Sequence, residues 1–154
     1  MLNLGFRNPE FHLGSAIMKD MDNFKYLRRV LFTGATVFGF SALLLIISPS
    51  LFNELLGISS TPELDWAMRM IGLTLVALAG NMFSVSLKGK DSTVLFSARV
   101  MTISAAGLGV LTLLIPVETL TWFDYAYAAV GFGFSFAYMV GLFRAPKIEN
   151  NSPR

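Results

Sequence analysis

Residues 70–87 read MIGLTLVALAGNMFSVSL, and no charge interrupts them from Met70 to Leu87. A helix rises about 1.5 Å per residue, so about 20 residues cross a hydrocarbon slab roughly 30 Å thick. With its flanks, this stretch reaches that length. Its most polar group is Asn81, whose amide must find a hydrogen-bonding partner away from water.

Outward from this stretch, Val30 to Ile47, Val100 to Val117 and Tyr125 to Phe143 have the same character. Together the four runs predict spans over about 28–48, 66–87, 94–116 and 122–143. The chain is 54% hydrophobic and 14% charged, with a mean hydropathy of +0.60, which is too apolar for an ordinary soluble domain. Four core helices of a soluble protein are the alternative. A chain of 154 residues has no second layer able to cover helices that are apolar on every side. A cleaved signal peptide is a poor account of the first run, because 29 residues precede it and Ser48, Pro49 and Ser50 make a weak cleavage site. The expected fold is all-α, an integral membrane four-helix bundle.

Basic residues sort by side. Arg7, Lys19, Lys25, Arg28 and Arg29 precede the first span, Lys88 and Lys90 lie between the second and third, and Arg144, Lys147 and Arg154 follow the fourth. The other two loops carry Glu54, Glu63, Asp65 and Glu118 but no lysine or arginine, with Asp124 at the edge of the fourth span. Basic excess places both termini and the middle loop in the cytoplasm. The net charge of +2 therefore reflects insertion and gives no reason to expect a nucleic acid partner.

Residues 1–24 form a tail in which Leu13, Ile17, Met21 and Phe24 recur at helical spacing, as in a helix lying on the inner membrane surface. A leader is the alternative, since Met18 and Met21 are also possible starts. After the first span, Leu51 to Ile58 is too short to cross and too apolar for a free loop, which suggests the outer interface. Ser59 to Pro62 then turn the chain, with Thr61 a cap for the helix opened by Pro62, Glu63 and Asp65. Gly89 to Ser92 make so short a turn that the second and third spans are expected to be antiparallel neighbours. Trp66, Trp122, Tyr125 and Tyr127 sit where aromatic rings are expected at headgroup depth. The tail 146–154 reads as disordered.

Ionisable groups inside a bilayer are costly, so each is a functional candidate. Apart from Arg28, Arg29 and Asp124 at the very edges of the spans there are two, Arg69 and Arg99, and neither reaches the midplane. Arg69 follows Asp65 by four residues and either pairs with it or faces the bundle, where its guanidinium would bind an anionic headgroup or ligand. Arg99 snorkels to the opposite headgroups. Asn81 either bonds a neighbouring helix or contacts a ligand. Arg69 and Asn81 are thus the candidate ligand-binding residues. Ala129, Gly133, Ala137 and Gly141 recur every four residues in the fourth span and suggest a small face for packing within the bundle or for docking on another subunit.

The missing residues also bear on function. There is no cysteine, and the one histidine, His12, lies in the tail, so a bis-histidine haem, an ordinary histidine metal site and thiol chemistry have no ligands. No buried acid serves proton-coupled transport, and no histidine or buried acid activates a serine or threonine. No enzyme, cofactor or metal is expected.

An apolar first helix, a proline after it, a segment ending Leu55, Leu56, Gly57 and Ile58, then Arg69 and Gly72 opening the next helix resemble the pattern of small bacterial four-helix membrane proteins of unknown function. This resemblance covers roughly residues 30 to 115. It implies the same topology and a bacterial inner (cytoplasmic) membrane, and transfers no site. The function expected is an accessory or assembly subunit of a larger membrane complex, with other membrane subunits, or self-association through the fourth span, as partners. The alternatives are a binder or carrier of a lipophilic or anionic small molecule, and a small transporter or channel.

Overall fold

The computed structural model describes the backbone of residues 9–145 and the side chains of residues 24–145. The side chains of His12, Leu13, Ile17 and Met21, and the tail 146–154, lie outside them. Among the described residues five helices follow one another: α1 (Pro9–Ile47), α2 (Pro49–Leu55), α3 (Pro62–Lys88), α4 (Asp91–Leu113) and α5 (Trp122–Arg144). The last 24 residues of α1, together with α3, α4 and α5, are each long and apolar enough to cross a membrane.

Burial agrees with that assignment. Only 28% to 33% of each apolar window is buried within the chain. Phe40, Ile47, Ile103 and Phe143 are each more than 70% exposed, so the bundle presents apolar side chains outward. Water does not tolerate so much contiguous apolar surface, whereas helices whose backbone bonds are internally satisfied meet hydrocarbon readily. The chain is a multi-pass helical membrane protein.

Local chemistry sets the helix ends. Thr61 Oγ1 accepts a bond from the Leu64 amide (3.2 Å), Pro62 occupies the first turn, and Glu63 and Asp65 complement the positive end of the α3 dipole, as the sequence predicts. α2 stops at Gly57, whose φ of +67° disfavours a side chain. The Ile58 amide reaches back to the Asn53 carbonyl (2.9 Å) and the Gly57 amide to that of Glu54 (3.0 Å). α5 begins in a capping box: Thr121 Oγ1 accepts from the Asp124 amide, and the Asp124 carboxylate accepts from the Thr121 amide at 2.6 Å.

The spans pack as two pairs, α1 on α3 and α4 on α5, with α1 also touching α4 and α5. Glycines permit the close crossings. A Cβ at Gly72 would lie 3.1 Å from the Ala42 carbonyl oxygen, and one at Gly131 would lie 2.8 Å from that of Ala105 and 3.0 Å from the Gly109 nitrogen. Backbone cannot yield there as a flexible side chain would.

α3 and α4 share a short turn as expected, yet they meet little beyond it. Met68, Ile71 and Leu75 face Leu108, Leu111 and Ile115 across a gap, so this seam has large residues where the other seams have glycine. A compact core of Leu27, Leu31, Met82, Val94, Ala98, Met101 and Tyr138 closes the end of the bundle that holds the turn. At the opposite end, Leu45, Phe52 and Leu56 form a smaller core, with α2 folded over it. α2 is thus partly an inserted plug, with Phe52, Asn53 and Leu56 buried.

Candidate functional site

The sequence candidates fall on the outer surface. Arg69 and Asn81 are both exposed on α3. Asp65 is engaged elsewhere: its Oδ1 accepts from Asn53 Nδ2 at 3.0 Å and from the Ser60 hydroxyl. Arg69 therefore neither pairs with Asp65 nor enters the bundle. Asn81 lies seven residues before the end of α3, deep in the span, and forms no hydrogen bond with any described residue. No helix among the described residues satisfies it. Ala77, Gly80 and Ser84 surround it on the same outward face, and a Cβ added at Gly80 would meet nothing within 4 Å.

Within the chain, Ala129, Gly133, Ala137 and Gly141 do not form the packing face of α5. Gly141 is buried against Leu27 and Ala137 is half-buried. Ala129 and Gly133 face outward, with open space where a Gly133 side chain would stand. The reason is geometric: at 3.6 residues per turn, each step of four rotates about 40° too far, so the stripe winds about 120° around the helix over its length. The inner face is Asp124, Ala128, Gly131, Ser135, Tyr138 and Gly141, so only the last residue of the stripe lies on it. Ser135 Oγ donates to the Thr102 carbonyl of α4 at 2.9 Å, and the Tyr138 hydroxyl donates to the Val30 carbonyl of α1 at 3.4 Å.

Between α3 and α4, in the half of the bundle nearer α2, lies an almost wholly apolar cavity of about 250 Å³. Phe38 and Leu45 of α1 form its back, and Phe52 and Leu56 of α2 border it. Of its two polar lining residues, Thr112 is already satisfied: its Oγ1 donates to the Leu108 carbonyl at 2.8 Å. Such a space suits hydrocarbon. Arg69 does not line it.

Two polar devices escaped the sequence reading. At the turn end, Arg28 of α1 donates to the carbonyls of Ser86 (3.2 Å) and Gly89 (2.6 Å) and to the Asp91 carboxylate (3.0 Å), tying the end of α3 to the start of α4. A cation there also complements the negative end of the α3 dipole. At the α2 end, Asn53 and Asp124 are fully buried. Asn53 joins α2 to Asp65 of α3, and Thr121 beside Asp124 reaches the Leu55 carbonyl at 2.8 Å. The Thr121 to Asp124 spacing was a legible capping signal. The contacts of Arg28, about 60 residues away in sequence, were not.

Among the described residues no group of three or more histidine, cysteine, aspartate or glutamate side chains comes together to hold a metal ion. No protein-family model, curated protein or solved structure matches this chain, so geometry alone carries the functional argument.

Proposed function

We propose that the chain is a non-enzymatic subunit of a larger membrane complex, seated in a bacterial inner membrane with both tails and the α3–α4 turn in the cytoplasm. The outward face of α3 is its docking surface. One observation carries this: Asn81 directs an unpaired amide from the middle of a span toward hydrocarbon, on a face whose small residues let another helix approach. An amide left without a partner in an apolar medium costs several kcal/mol. A helix from a neighbouring subunit removes that cost, and small residues on both sides of the contact give van der Waals packing.

Mild detergent extraction followed by native mass spectrometry tests the proposal. Wild-type protein is expected to carry a protein partner, and Asn81→Leu to emerge folded and without it. Equal association in both, or a bare monomer in both, would contradict it.

A binder of a lipophilic small molecule is the other function the geometry favours, on the strength of the apolar cavity between α3 and α4. The same spectra distinguish it. A small bound mass that Leu108→Trp removes and Asn81→Leu leaves in place belongs to the cavity.

A further inference from the structure

We propose that the helix docked on the outward face of α3 is α3 of a second copy of this chain, with the two Asn81 amides bonded to each other; this rests on the docking function proposed above. Ala77, Gly80, Asn81 and Ser84 lie within an arc of about 100° on α3 at 3.6 residues per turn, all of them exposed. Two copies inserted in the same direction form a closed dimer only about a two-fold axis along the membrane normal. Across such an axis α3 meets α3 in parallel, and each residue near the axis faces its own counterpart at the same depth.

This condition selects the chemistry. An amide carries both a donor and an acceptor, so Nδ2–H of one Asn81 can donate to Oδ1 of the other. A lysine or a carboxylate at this position would repel its own copy. An unrelated partner would need a polar group at matching depth, whereas a second copy supplies one automatically. Ala77 and Ser84 flank Asn81 one turn away on either side at the centre of the contact, and Gly80, at its rim, adds no Cβ to hold the backbones apart. The bond exchanged is Asn81 to lipid-facing void for Asn81 to Asn81.

Single cysteines in this cysteine-free chain test the idea. Ala77→Cys, Ser84→Cys and, on α5, Gly133→Cys are oxidised in the native membrane with a membrane-soluble oxidant, and products are sized by denaturing electrophoresis and mass spectrometry. All three positions face outward, so the variants keep their core contacts, and a melting curve checks this. Covalent dimers of this chain are expected at 77 and 84 and not at 133. Adding Asn81→Leu should lower the yield about threefold to tenfold, and Asn81→Gln should restore part of it. Dimers through position 133 alone, or yields unchanged by Asn81→Leu, would overturn the proposal. A product containing a different protein at 77 or 84 would overturn the second copy as occupant while leaving the docking function standing. No product at any position would overturn the second copy as occupant, and the native mass spectra of wild type and Asn81→Leu then decide the docking function.

Discussion

Where α4 and α5 cross, a methyl group on Gly131 would stand 2.8 Å from the Ala105 carbonyl oxygen, while one on Gly133, two residues away, would meet nothing. Gly131→Ala is therefore expected to lose about 1 to 3 kcal/mol, the usual cost of overpacking, and Gly133→Ala to be unchanged or slightly more stable through its helix propensity. Melting temperatures of both variants in the same detergent check this, and the reverse order would show that α4 and α5 do not cross at Gly131. A four-residue repeat made Gly133 conspicuous in the sequence, but a repeat of four drifts around a helix and does not mark one face. Arg28 gives a second contrast. Its partners are mainly backbone carbonyls at the end of α3, and its Asp91 partner is half exposed. Arg28→Ala should cost about 1 to 3 kcal/mol, because charged donors to carbonyls are strong and the freed carbonyls lose their cap. Asp91→Ala should cost well under 1 kcal/mol, as exposed ion pairs do. Equal losses on thermal unfolding would mean that the ion pair, not the carbonyl cap, ties the turn to α1.

At the scale of elements, the four spans, the Thr61 cap and the short α3–α4 turn were legible because each rests on local composition: uncharged runs, Pro62 after a threonine, and Gly89 beside Lys90. α2 was half legible. Leu51, Phe52, Leu55 and Leu56 marked an apolar segment too short to cross, but nothing local says that Asn53 turns inward to bond Asp65, or that Thr121 reaches the Leu55 carbonyl. These bonds join residues distant in sequence and fix α2 over the smaller core. Asn53→Leu should therefore loosen α2 while leaving the α4–α5 crossing intact. Hydrogen exchange read by mass spectrometry should show faster exchange confined to residues 49–60, and acceleration spread equally across α4 and α5 would contradict a local role for Asn53.

For the whole molecule, the pairing of α1 with α3 and of α4 with α5 was not readable. The sequence shows that adjacent spans are antiparallel but not which seams hold glycines opposite a partner's backbone. Gly72 and Gly131 close two seams, and the large residues between α3 and α4 leave the third open. The same indifference of sequence to facing hid the candidate site: Asn81 was visible as a polar residue within a span, and only the packed bundle shows it turned away from every described helix. The proposed cytoplasmic placement of the tails and turn is tested by cysteines at Ser92 and Ser60, which should react with an impermeant reagent from opposite sides; labelling of both from one side would remove the four-span topology. Whether another protein covers the outward face of α3 is decided by a carbene-generating apolar photolabel in native membranes, with modified residues mapped by mass spectrometry. Phe40, Phe96, Ile103 and Phe136, all about 70% exposed or more, should be labelled, and Ala77 to Ser84 spared. Labelling of Ala77 to Ser84 as strong as that of Ile103 would show that this face meets lipid and would contradict the account.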